Sequence, residues 1–160
     1  MKTTKLILFF AGILLMSSCG LFKRFDKEGD SGTSKKAKIV VNAAKSRLGS
    51  PYKFGGTTSS GYDCSGLVFM SFQEAGITLP RTSIQQANVG KQVSLDRVKP
   101  GDLLFFVTKK EATISHVGIV TELKGPDMTM FIHAANTGVQ EDNVYSKYYK
   151  STFAKAMRPF

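Results

Sequence analysis

Apolar positions in this chain change their spacing near residue 100. Upstream, they recur every three or four residues. Ala37, Val41, Ala44 and Leu48 fall on one face and predict a helix over 34–48, capped by Ser34. Gly49 suits the position just past its end, and Pro51 follows where a helix cannot continue. Val68, Phe72 and Ala75 form a second stripe, above Cys64, and predict a helix from 64 to 76. Between these helices, Gly55-Gly56 and Ser59-Ser60-Gly61 mark a loop over 52–62. A short third helix is expected over 83–89, after Leu79-Pro80-Arg81-Thr82.

Downstream the pattern is that of strands. Lys99-Pro100-Gly101-Asp102 carries Pro and Gly at the central positions of a type II turn, and Asp102 is read as part of that turn. Residues 103–107 form a continuous apolar run, which suits a strand buried on both faces. Residues 114–121 and 128–135 are rich in β-branched and aromatic side chains, with Leu123-Lys124-Gly125-Pro126 between them. Further strands are expected around Val139 and over 153–157. Helices first and strands afterwards predict an α+β domain, with N-terminal helices packed on an antiparallel sheet.

The first 34 residues follow neither pattern. Lys2 and Lys5 precede an apolar run over 6–16, too short to span a bilayer and suited to a signal-peptide core. The run ends in Met16-Ser17-Ser18-Cys19-Gly20, which resembles a bacterial lipobox. Residues 1–18 are therefore expected to be a lipoprotein signal peptide and Cys19 the lipidated first residue. Residues 19–34 mix charges with Gly and Ser without a period and are expected to be a flexible tether, reaching roughly 20 Å. Residues 35–160 are left as one domain, long enough for a single core. The expected location is exported and membrane-anchored, facing the periplasm or cell wall. Gly20, rather than an acid, favours the outer membrane in a cell that has one.

Net charge is +10, falling to +8 when Lys2 and Lys5 are removed. A basic surface suits an anionic partner such as headgroups or a charged wall polymer. There is no aromatic-interleaved basic module and no zinc-finger spacing, so nucleic acid is not an expected partner. A monomer is expected.

Cys19 and Cys64 are the only cysteines. Lipidation of Cys19 would exclude a disulfide within the chain and leave Cys64 as a lone thiol. Asp63 is a good N-cap, which sets Cys64 at the first helical position, where free N–H groups and the helix dipole favour a thiolate. His116 and His133, the only histidines, fall in neighbouring strands. A turn centred between Lys124 and Gly125 would set them directly opposite each other; a two-residue slip would make them diagonal neighbours on the same face. The pattern permits a nucleophile, a base and a third group orienting the base. Each residue alone also has an ordinary structural explanation. A metal centre is not expected, because the three supply no fourth ligand, and no cofactor is called for.

Several motifs together resemble, in order, the NlpC-type cell-wall cysteine peptidases. They are Tyr52, Gly55-Gly56, Tyr62-Asp63-Cys64-Ser65-Gly66-Leu67-Val68, Leu79-Pro80-Arg81-Thr82-Ser83, Pro100-Gly101-Asp102-Leu103, Ser115-His116-Val117-Gly118-Ile119 and Phe131-Ile132-His133-Ala134. The resemblance spans about residues 37–158. It implies a papain-like fold and hydrolysis of peptidoglycan stem peptides, usually between γ-D-glutamate and a diamino acid. By position it implies Cys64 as nucleophile, His116 as general base then acid, and His133 as the orienting group. It also implies Tyr52 beside the oxyanion, and Asp63 and Ser65 at the amino end of the stem peptide. Arg81 matches a family position without an implied role. A thiol amidase or acyltransferase of the same superfamily, or a catalytically silent wall-binding lipoprotein, are the alternatives.

Overall fold

The computed structural model describes residues 22–108 and 112–160, with side chains from residue 33 onward. The expected signal peptide over 1–18 and the lipidated Cys19 lie outside the described residues. Helix α1 spans Phe22–Lys45. It starts well before Ser34, inside the stretch expected to be a tether. Gly29 and Gly32 had marked that stretch as flexible, yet a helical glycine costs only about 1 kcal/mol and the Lys, Arg, Glu and Phe around them are helix-compatible. The chain divides into two units, Met1–Gly32 and Thr33–Phe160. The packing below is that of the second.

Helix α2 (Cys64–Glu74) follows a two-strand hairpin, β1 (Thr57–Thr58) and β2 (Gly61–Tyr62), which lies within the expected loop. Helix α3 is a single turn, Ser83–Gln86, capped by Thr82. Six strands then form one antiparallel sheet. In chain order they are β3 (Lys91–Val93), β4 (Leu103–Phe106), β5 (His116–Gly125), β6 (Met128–Ala135), β7 (Gly138–Asn143) and β8 (Phe153–Arg158). Their spatial order is β3-β8-β4-β5-β6-β7. Strand β3, a 3-10 turn at Leu95–Arg97 and helix α4 (Lys147–Thr152) carry no clear periodic signal and were not expected.

The apolar run in β4 is explained by its central place. Leu103 and Phe105 join the cluster under the helices with Val40, Ala44, Leu67, Phe72, Ile119 and Ile132. Leu104 and Phe106 join the opposite cluster with Val98, Val120, Phe131, Val144 and Ala156. Each face is covered, so alternation disappears. On α1, Ala37, Val41 and Ala44 are buried as expected, and Val40 with them; Leu48 lies beyond the helix end and is exposed. The turn before β4 is type II, with Asp102 N–H donating to the Lys99 carbonyl and φ +92° at Gly101. Asp102 is fully buried and paired with Arg158, which ties the turn to β8.

The β5–β6 register differs by two residues from a turn centred at Lys124 and Gly125. Ile119 pairs with Ile132, and Val120 with Phe131. The turn closes on the Gly125–Met128 pair around Pro126-Asp127, and two bulges in β5 shift the ladder back partway. A two-residue difference preserves the face, so both histidines remain on one side of the sheet.

Candidate active site

The six residues singled out from sequence, Tyr52, Asp63, Cys64, Ser65, His116 and His133, all line one cleft of about 740 Å³. They come from the loop before β1, the start of α2, the start of β5 and the far half of β6.

Cys64 is placed by its helix cap. Asp63 is extended (φ −91°, ψ 173°) and its Oδ1 accepts the Gly66 N–H at 2.6 Å. Its Oδ2 accepts the Gly55 N–H at 2.8 Å. Arg81 grips both oxygens, Nη1 to Oδ1 at 2.9 Å and Nη2 to Oδ2 at 2.7 Å. The Ser65 hydroxyl donates to Asp63 Oδ1 and accepts from Arg81 Nη1. Asp63 and Ser65 are both buried, and donors within the protein fill the lone pairs of the Asp63 carboxylate. In this structure they build the start of α2, and both also line the cleft. Arg81 gains a role that its sequence position did not supply. A Cβ on Gly66 would lie 2.1 Å from the Gly56 carbonyl oxygen, so the glycine loop reaches the helix only because residue 66 has no side chain.

The thiol environment differs from the expected low-pKa setting. Burial of Cys64 is the largest influence and pushes the thiol up, as does the negative charge of Asp63. The N–H groups of Val117, Ser65 and Cys64 itself pull it down without prevailing. The helix N-terminus acts in the expected direction, but desolvation outweighs it. His116 is shifted the opposite way: burial, then the neighbouring His133, bring it down to about 3. Both effects favour a neutral thiol and a neutral imidazole in the one cleft.

Nε2 of His116 lies 2.9 Å from Nδ1 of His133, with the ring planes at 86°. His133 is 1% exposed and stacks on Phe131 at 4.8 Å. Its other nitrogen, Nε2, lies 2.8 Å from Asp142 Oδ2 in β7. That oxygen also accepts from Gln140 Nε2 at 2.7 Å and from the Tyr149 hydroxyl at 3.2 Å. Asp142, Gln140 and Tyr149 were not singled out from sequence. The available signal was the two-residue turn at Asn136-Thr137, which pairs His133 with Gln140 and brings Asp142 onto the diagonal. Tyr52, at the cleft rim, has its phenol raised by burial first, then by Cys64 once that thiol ionises, and by the negative charge of Asp63, so its O–H stays a donor at neutral pH.

A papain-like α+β domain with a thiol at a helix start and two coupled imidazoles on the sheet is the class defined by these features. The NlpC/P60 family model matches residues 49–158, and the chain belongs to that family. It is 38% identical over 112 residues to the probable endopeptidase NlpC of Escherichia coli, covering 69% of this chain and 70% of that one. It is 40% identical over 84 residues to the γ-D-glutamyl-L-lysine dipeptidyl-peptidase of Bacillus subtilis, covering 52% of this chain but only 28% of the relative. Among solved structures, a lipoprotein-like NLP/P60 protein of Staphylococcus aureus superposes with a TM-score of 0.69 at 29% identity, over 79% of this chain and 42% of that one.

Proposed function

We propose that this protein is a peptidoglycan endopeptidase of the thiol class, cutting stem peptides between γ-D-glutamate and a diamino acid. The observation that carries the reading is the convergence of Cys64, His116 and His133 on one cleft of a family member. Endopeptidase relatives, and one named for the γ-D-glutamyl-L-lysine linkage, support the bond class.

The residues divide the reaction as follows. Nε2 of His116 is held by His133, which leaves Nδ1 to serve the thiol. As Sγ attacks the scissile carbonyl, the thiol proton passes to His116 Nδ1. The tetrahedral oxyanion is met by the backbone N–H of Cys64 at the helix start and by the Tyr52 hydroxyl. Collapse breaks the C–N bond, the departing amine takes the proton from His116, and a thioester remains. Water then gives a proton to His116 and attacks the thioester; the thiolate departs and recovers that proton. Because burial raises the thiol and lowers His116, attack and proton transfer are coupled.

The export and anchoring readings belong to the same proposal: cleavage before Cys19, a lipid on its thiol and a domain acting at the wall side of a membrane. They rest on the sequence pattern of residues 1–19. Digestion of purified peptidoglycan followed by mass analysis tests the bond. A new free amine on the diamino acid supports the reading; release at an amide or ester elsewhere supports the amidase or acyltransferase alternative. Cys19→Ser should move the protein from the membrane to the soluble exported fraction while purified activity persists. Membrane fractionation that survives both this change and signal-peptide removal contradicts the anchor.

A further inference from the structure

The hydrogen bonds behind His133 determine which nitrogen of His116 is basic. We propose that Asp142 is a positioning residue that, acting through His133, fixes Nδ1 of His116 as the bare nitrogen facing the reaction. This rests on the peptidase reading above.

The argument is one of donors and acceptors. Hydrogen bonds from Gln140, His133 and Tyr149 outweigh burial and hold the Asp142 carboxyl below its usual range, so it is ionised and only accepts. Nε2 of His133, at 2.8 Å from it, therefore carries a hydrogen. Burial keeps His133 neutral, so its Nδ1 is bare. The partner of that bare nitrogen, Nε2 of His116 at 2.9 Å, must then be the donor. His116 is neutral too, and its proton is accounted for at Nε2, which leaves the lone pair on Nδ1. The other groups around His133 do not upset this order. Phe131 is apolar and Gln140 donates to Asp142. The Tyr149 hydroxyl lies 3.2 Å from both Nε2 of His133 and Oδ2 of Asp142; pushed up by burial and by Asp142, it stays protonated and gives its hydrogen to the carboxylate, turning its oxygen to the Nε2 hydrogen. When His116 takes the thiol proton, the Asp142 charge also stabilises the imidazolium across His133. The proton does not travel to Asp142.

The test combines histidine-ring nitrogen NMR with turnover on a purified stem peptide, for wild type, Asp142→Ala and the near-isosteric Asp142→Asn. In wild type at neutral pH both rings should show hydrogen on Nε2 and a bare Nδ1. Asp142→Ala should mix the tautomers of His133. A triad carboxylate next to the base is worth about 10,000-fold, so one ring further away kcat should fall about 10–100-fold with KM within about threefold. Asp142→Asn retains an oxygen acceptor but no charge; its kcat should lie between the two, with the acid limb of its pH profile moved lower. Wild-type tautomers and kcat in a folded Asp142→Ala overturn the proposal, as does an effect on KM alone. If Asp142→Ala does not fold, an Asp142→Asn with wild-type kcat and acid limb overturns it. The nitrogen spectrum reads the relay whether or not the stem peptide is cut, so failure of the peptidase reading would be seen separately as an inactive wild type.

Discussion

His116 and His133 meet edge to face across a strand boundary, Nε2 to Nδ1 at 2.9 Å, because β5 and β6 pair two residues away from a directly opposed register. The offset gives the two rings different neighbours. His116 opens on the cleft, whereas His133 is enclosed by Phe131, Tyr149 and Asp142.

That difference predicts unequal tolerance to substitution. His116 needs a titratable ring, and His116→Gln should be nearly inactive. His133 needs an acceptor for the His116 N–H, which a carboxamide oxygen supplies. His133→Gln or His133→Asn should retain measurable activity, lowered by loss of the link to Asp142. Steady-state turnover of the folded variants on a stem peptide checks this; equal inactivity of both positions contradicts the roles.

The shifts at the thiol and imidazole make a prediction in pH. His116 must be neutral to accept a proton, and it stays neutral down to about 3. The acid limb of kcat/KM should therefore lie well below the ordinary imidazole value of about 6.5. Burial raises Cys64, so its alkylation by iodoacetamide should accelerate into the alkaline range. An alkylation rate already maximal near pH 5 would indicate a resting thiolate–imidazolium pair and contradict this state.

Stability should follow the same histidines. Both folded-state values are depressed, so between about 6.5 and 3 the unfolded chain binds protons that the folded chain refuses. The folded state is fully favoured by this effect above the unfolded value and loses that advantage as pH falls. Denaturant midpoints should drop across this window, and a His116→Gln/His133→Gln double variant should flatten the dependence.

Much of this site was legible in the sequence where the cue was local. Asp63 before an apolar stripe sufficed to start α2 at Cys64, and Pro100-Gly101 sufficed for the turn before β4. Expectations failed where the outcome depended on tertiary balance. The helix N-terminus argued for a lowered thiol pKa, but only the packed structure shows that desolvation is larger. The β5–β6 register was displaced because the turn closes around Pro126-Asp127, and bulges that leave no signature in composition shift it back only partway. Arg81 and Asp142 lie far in sequence from the groups they hold, and their roles follow from loop approach and strand pairing.

Arg81 and Asp63 carry a stability prediction. Asp63→Ala removes the cap and strands the half-buried guanidinium. The cap alone is worth about 1 kcal/mol, so a total loss of about 2 kcal/mol or more is expected in denaturant unfolding. Arg81→Lys, which cannot grip both oxygens, should lower stability less but still slow turnover by loosening the start of α2. Wild-type stability and turnover in Asp63→Ala would contradict the assigned role.

The central claim is that Cys64 forms the covalent bond to the substrate. Its most direct test is turnover of a purified γ-D-glutamyl–diamino acid stem peptide by wild type, Cys64→Ser and Cys64→Ala, with intact-protein mass measured during reaction. The expected result is an acyl adduct on Cys64 in wild type and a loss of at least about a thousandfold in both variants. Near-normal hydrolysis by a folded Cys64→Ala would contradict the account.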